Sequence, residues 1–323
     1  MPSWLRVARG RRLAVLGADG FIGSQVVRAA LAASAQVTAI SLRDPWRLLG
    51  VAGPDLRHAS VFEWWDPSSL PELRGLLRGV DALALLAYRP PPASADSVAR
   101  LEHELSVNAG SACRLAKAAF ELGLRVVFAS SADVYGPWHE APVTEESLPN
   151  PVTPYARAKL RAEQLVAEAG EASVSVRIAT VFGPGEHGPR AIPSFLRALA
   201  RGERPVVHGD GSDVRDYVYV GDVAAAIVNA CLAPPGSLRA NVLNLGSGRG
   251  RTTLQILRSV CALLGAACDP RYEPHSRERS RLVLDPSRAR YALGFEASEE
   301  FDELVAEEAR WLLGPPMPVR ARR

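Results

Sequence analysis

A short apolar run that ends in three spaced glycines and leads into a helix constrains this chain more than any other feature. Arg12 to Gly17 (RLAVLG) is the kind of run that forms a buried parallel strand. It passes into Gly17, Gly20 and Gly23, spaced G-x-x-G-x-x-G, and then into the helical stretch from Ser24 to Ala33. Strand, glycine turn and helix in this order are the context of a dinucleotide-binding loop. The first glycine permits the tight turn, the second lets the backbone approach a pyrophosphate, and the third lets helix and strand pack closely. Phe21 and Ile22 open the helix, whose free N–H groups and partial positive charge would face the phosphates. A glycine-rich turn with no ligand is the competing reading.

The rest of the first half repeats the alternation. Apolar strand candidates fall near 12–16, 36–41, 57–61, 80–86, 125–130 and 173–178, with helices near 20–33, 68–78, 98–122 and 153–169. This predicts an α/β fold, a doubly wound parallel sheet of the Rossmann type. After residue 179 the texture changes to Pro- and Gly-rich turns around a helical run from Pro193 to Arg201. A helix from Asp222 to Leu232 and a strand from Asn241 to Leu245 then return to the sheet. The expected division is a dinucleotide-binding domain at 12–178, with 219–246 returning to it, and a smaller interleaved C-terminal substrate lobe at 179–218 and 247–313. Residues 1–11 and 314–323 are expected to be flexible. A cleft between the lobes is where a substrate would bind.

Lysine usage singles out a second feature. Of the 38 basic residues only Lys117 and Lys159 are lysine, and Lys159 lies four residues after Tyr155. On a helix those positions share a face, which places an ammonium beside a phenol. A nearby cation favours the phenolate, lowering a tyrosine pKa from about 10 towards neutrality. The phenol then becomes a proton donor and acceptor. The bland alternative is a helix surface with a half-buried Tyr155 and a solvated Lys159.

Composition excludes several classes. The net charge of +3 over 323 residues argues against nucleic acid as the main partner. No apolar run approaches the roughly 20 residues that span a bilayer, so no membrane role is expected. The basic start lacks an apolar signal segment, and Cys113, Cys231, Cys261 and Cys268 lack paired spacing. Both point to a reducing cytoplasm. Six scattered histidines predict no metal site.

From about Leu13 to Phe295 these pieces resemble the extended short-chain dehydrogenase/reductase family, in its epimerase/dehydratase branch acting on nucleotide-diphosphate sugars. Gly17, Gly20 and Gly23 match the cofactor loop. The resemblance puts Glu63 at the adenine, Ala87 beside the cofactor at the fourth strand's end, and Asn108 in the helix behind the site. Ser130 to Gly136 (SSADVYG) resembles the signature after the fifth strand and implies that Ser131 is the catalytic serine, with Tyr155 and Lys159 as the catalytic pair. Lys159 would also hold the nicotinamide ribose. Arg177 to Pro184 and Gly209 to Asp222 resemble the substrate-lobe segments, the latter implying that Arg215 contacts a substrate phosphate. Leu284 to Arg290 resembles the family's C-terminal helix entry. Ser131, at the end of a central strand, could orient a substrate oxygen that exchanges a proton with Tyr155.

Some positions depart from the family pattern. The second strand ends at Ser41 with Arg43 two residues on, where an NAD-selective fold usually has an acid. A hydroxyl and a guanidinium accommodate a 2′-phosphate, so NADP(H) is favoured, with NAD the alternative if Asp44 serves as the acid. Leu85 stands where a histidine is common, and Thr180 replaces an asparagine near the substrate phosphates. Asp133 occupies a position where related dehydratases carry an acid, but its neighbour is Ala132. The leading reading is hydride transfer at a ring carbon, taken as C4, of a nucleotide-diphosphate sugar by an NADPH-consuming ketoreductase. A 4-epimerase with retained NAD is the alternative, followed by a dehydratase and by a non-catalytic NADP(H) sensor. A homodimer paired through the helices at 98–122 and 153–169 is expected.

Overall fold

The computed structural model describes residues 5, 6, 8–42, 51, 53–60, 63–170, 173–234, 238, 241–274 and 279–314. In the first half the elements are β1 (Arg12–Leu16), α1 (Phe21–Ala32), β2 (Gln36–Ser41), β3 (Leu56–Ser60), α2 (Leu70–Leu77), β4 (Ala82–Leu85), α3 (Ser97–His103), α4 (Gly110–Glu121), β5 (Arg125–Ser131), α5 (Pro154–Ala169) and β6 (Ser173–Ile178). β7 (Thr180–Phe182), α6 (Ala191–Ala200), β8 (Val206–His208), β9 (Val214–Tyr219), α7 (Val220–Leu232) and β10 (Val242–Leu245) follow. The chain continues with β11 (Gly250–Thr252), α8 (Thr253–Leu264), β12 (Arg271–Glu273), β13 (Arg281–Leu282), α9 (Ser287–Leu293) and α10 (Phe301–Leu313).

Seven parallel strands form the central sheet in the order β10-β6-β5-β4-β1-β2-β3. The fold is therefore the doubly wound α/β fold that the alternation predicts. Side chains alternate along each strand, so the two faces build separate cores. Leu13, Val15, Ala84 and Val127 pack on the face covered by α1 and α7. Ala14, Leu16, Leu83, Leu85 and Phe128 pack on the face covered by α2, α4 and α5. α7 is buried nearly all round, as a helix with almost no polar face must be. The strand order reverses between β1 and β4, and such a switch point opens a crevice at the strands' C-terminal ends. A third core, with Phe182, Phe195, Ile256 and Phe301, lies in the lobe beyond β6.

Two expectations change. The helix read across 98–122 is three pieces, α3, a π-helical segment at Glu104–Ala109, and α4. A π segment adds a residue to the turn and rotates everything after it, which buries Glu104. The N-terminal segment read as flexible is partly tied down: Ala8 is buried, and the Arg6 amide donates to the Asn229 side-chain oxygen at 3.0 Å.

A buried ion pair locks β6 to α5. Arg177 donates from Nε and Nη2 to the Glu163 carboxylate at 2.7–3.2 Å. Its guanidinium carbon lies 4.7 Å from the centre of the Tyr135 ring, and the Tyr135 hydroxyl donates to Asn244 in β10 at 2.8 Å. Removing one partner of such a pair strands the other charge, at a cost of about 3–5 kcal/mol. Glu163→Gln should therefore lower the urea midpoint by that amount with an unchanged denaturant slope. A midpoint within experimental error of wild type would show that the pair is dispensable.

Candidate functional site

A cleft of about 650 Å³ opens at the C-terminal ends of β1, β4 and β5. Its floor depends on two glycines. Gly17 has φ +91°, and a Cβ there would lie 2.8 Å from the Ala87 nitrogen and 2.9 Å from its Cα. A Cβ on Gly23 would lie 2.0 Å from the Gly17 carbonyl oxygen. The loop, the stretch after β4 and the first turn of α1 are thus closer than any side chain permits. α1 has no side-chain cap at Gly20 and no acid in its first turn, leaving N–H groups and the positive end of the helix dipole directed at the cleft. Gly17, Gly20, Phe21, Ile22, Gly23 and Ala87 all line it. This cradle fits a dinucleotide pyrophosphate.

The opposite wall carries Ser131, Tyr155 and Lys159 together. Ser131 ends β5, and its hydroxyl accepts from the Asp133 amide at 3.2 Å. α5 starts at Pro154 behind a Thr153 cap whose Oγ1 accepts from the Ala156 amide at 3.1 Å, which sets Tyr155 in the first turn at the cleft. One turn on, Lys159 is buried and donates to the Ala129 carbonyl at 2.8 Å. Its Nζ lies 5.0 Å from the Phe128 ring centre and 5.7 Å from that of Tyr155.

The electrostatics differ from the expected lowered phenol. Tyr155 is pushed up to about 12, chiefly by burial and then by the Asp133 charge, with the Ser131 hydroxyl and Arg190 working the other way. The Lys159 ammonium sits over the flat of the ring and spends a hydrogen bond on Ala129, so desolvation wins. Burial also draws Lys159 down to about 8, against the pull of Glu104 and Glu163. At neutral pH the phenol is protonated and the lysine is close to its titration range.

Other residues singled out by sequence are placed as follows. Ser41 ends β2 and is buried, whereas Arg43 and Asp44 lie outside the described residues. Glu63 is exposed with φ +59°, and it is the next residue, buried Trp64, that lines the cleft. Asn108 braces the backbone of Arg89, accepting from its amide and donating to its carbonyl, both at 2.9 Å. Thr180 pairs with Tyr217 in the β7–β9 ladder, while its neighbours Ala179 and Val181 face the cleft. Asp133 and Arg215 meet across the two lobes at 3.6 Å. No cluster of three metal-binding side chains occurs among the described residues.

Three cleft residues were not legible from spacing. Tyr88 follows Ala87 directly and packs edge-on against Tyr155, ring centres 5.4 Å apart. Trp64 closes the far end, and Arg190 rims the cleft with its Nη1 3.4 Å from Glu186. Only the step from Ala87 to an aromatic residue hinted at any of them.

Residues 13–246 match the NAD dependent epimerase/dehydratase family. The chain is 31% identical to the UDP-glucose 4-epimerase of Mycolicibacterium smegmatis over 309 residues, covering 92% of this chain and 96% of the relative. It superposes with a TM-score of 0.80 on the dTDP-glucose 4,6-dehydratase of Streptomyces venezuelae, solved with NAD and TYD bound, at 27% identity over 93% of this chain and 96% of the other. The UDP-N-acetylglucosamine 4-epimerase of Methanobrevibacter ruminantium also gives a TM-score of 0.80, at 25% identity over 94% and 99% of the two chains.

The glycine geometry makes a direct prediction. Gly23→Ala forces α1 off the loop, because a methyl cannot occupy a position 2.0 Å from a carbonyl oxygen. The variant should lose dinucleotide affinity by about tenfold or more, the effect of a single lost charge-assisted contact set. Calorimetric titration with NAD measures it, and wild-type affinity would show that the close approach is unnecessary.

Proposed function

The chain belongs to the NAD dependent epimerase/dehydratase family, an NAD-dependent enzyme of the extended short-chain dehydrogenase type, and on that premise we propose that it inverts C4 of a nucleotide-diphosphate sugar. The observation that carries this reading is full-length similarity to a UDP-glucose 4-epimerase together with Ser131, Tyr155 and Lys159 on one wall of one cleft. It favours the epimerase over the NADPH-consuming ketoreductase. The ketoreductase reading rested on Ser41 and Arg43, and the Streptomyces venezuelae relative holds NAD.

The Gly17–Gly23 loop and Ala87 would hold NAD, with Lys159 at the ribose. NAD supplies the site with an acceptor and donor of hydride. Ser131 orients the sugar oxygen and Tyr155 exchanges its proton. The protonated phenol is ready to donate to a ketone. Taking a proton from an alcohol requires the phenolate, which a Lys159 ammonium and the Ser131 hydroxyl favour while burial and Asp133 oppose it. Arg215 would take the sugar diphosphate, exchanging its 3.6 Å contact with Asp133 for a charge-assisted phosphate contact.

Purified protein should release NAD on denaturation, read by mass spectrometry, and interconvert UDP-glucose and UDP-galactose. Net NADPH oxidation with a reduced sugar nucleotide as product would favour the ketoreductase. Tyr155→Phe should lower kcat by about 10²–10⁴ while NAD is retained, the usual weight of general acid–base catalysis. Arg215→Ala should raise KM strongly and leave NAD retention unchanged, since the two diphosphates occupy different ends of the cleft. Equal KM values would remove Arg215 from the sugar nucleotide.

A further inference from the structure

A second cluster stands behind the catalytic pair. The Tyr88 hydroxyl donates to Glu104 Oε1 at 2.6 Å, and Asn108 Nδ2 donates to Glu104 Oε2 at 2.9 Å. Glu104 is 3% exposed, held inward by the π-helical turn. The Tyr88 ring that it anchors touches both members of the pair. Tyr155 meets it edge-on at 5.4 Å, and Lys159 Nζ lies 5.7 Å from its centre. A carboxylate this deep persists as an anion only when hydrogen-bonded and balanced by a cation. The hydrogen bonds come from Tyr88 and Asn108.

The charged groups around this point can be enumerated. Glu163, on the same helix as Lys159, is engaged on both oxygens by Arg177. Asp133 pairs with Arg215 in the other lobe. On α3, Arg100 donates to the Ala93 and Ala95 carbonyls, and His103 Nε2 lies 3.1 Å from the Arg89 carbonyl. Among these anions Glu104 has no arginine across from it, and Lys159 is the buried cation it faces through Tyr88.

We propose that Glu104 is a positioning residue for the catalytic pair: it is the counter-ion that keeps Lys159 an ammonium, and through Tyr88 it fixes the edge-on placement of Tyr155. The inference rests on the reading of Tyr155 and Lys159 as the proton-handling residues. It agrees with the balance at Lys159, where burial lowers the pKa to about 8 and Glu104 is the foremost group opposing that fall. The sign follows. Lys159 is charged below its midpoint, so loss of Glu104 moves that midpoint down and the ammonium disappears at a lower pH than in wild type.

The test exploits the two lysines of the chain. Full-length protein carrying ¹³C-labelled lysine shows two side-chain signals, Lys159 and the exposed Lys117, which serves as internal reference. In Glu104→Gln the Lys159 midpoint should fall while that of Lys117 stays. Glu104→Asp keeps the charge but draws it back, so it should move the midpoint the same way by less, and it carries the test if the glutamine variant does not fold. A Lys159 midpoint that is unchanged or raised overturns the proposal.

Interconversion of UDP-glucose and UDP-galactose supplies the second readout. The alkaline limb of kcat in Glu104→Gln should move down by about one pH unit, a roughly tenfold loss on that limb, with near-wild-type kcat restored at acid pH. Equal depression at every pH would mean a merely structural role. The lysine titration needs no substrate, so it stands or falls separately from Tyr155→Phe, whose normal turnover would remove the underlying assignment instead.

Discussion

The Arg177–Glu163 pair holds the functional half of the molecule together. Both side chains are buried, and the guanidinium meets the carboxylate on two nitrogens. Burying two ions costs several kcal/mol each, so the pair is tolerable only because each satisfies the other. Its position explains its use. Arg177 lies in β6, Glu163 lies two turns beyond Tyr155 in α5, and Tyr135 stacks on the guanidinium from the loop that begins at Ser131. One interaction therefore sets the rotation of α5 against the sheet, and with it the spacing of Ser131, Tyr155 and Lys159.

The same economy of charge governs the cleft. Burial raises the Tyr155 phenol to about 12 and lowers Lys159 to about 8, so each group is driven towards its neutral form. Desolvation outweighs the attraction that a Tyr–Lys pair at helical spacing suggests, because the ammonium lies over the ring face and bonds to a carbonyl. The balance rests with the charges around the pair. Asp133 opposes the phenolate, Arg190 favours it, and Glu104 supports the ammonium.

The two lobes meet where these charges change sign. Asp133 follows β5 in the sheet domain and Arg215 lies in β9, so their 3.6 Å contact crosses the cleft mouth. Both side chains are partly exposed, which makes the contact weak and exchangeable. A diphosphate entering there competes for Arg215 with a single carboxylate.

The sequence by itself determined the sheet and its glycine cradle. Alternating apolar runs and helices leave one economical packing, and Gly17 and Gly23 are legible because the contacts they permit exclude every other residue. Ser131, Tyr155 and Lys159 were legible for a related reason, since strand ends and helical spacing are local rules. Cofactor choice was not, because Ser41 is placed but Arg43 lies outside the described residues. Tertiary structure alone decided what surrounds the pair. A π-helical turn that no local pattern announced rotates Glu104 inward, and Tyr88 reaches it across sixteen residues of chain. Spacing places groups on a common face, but the sign of a pKa shift depends on how much water and which distant charges the fold leaves beside them, and those are settled only when the helices close over the sheet.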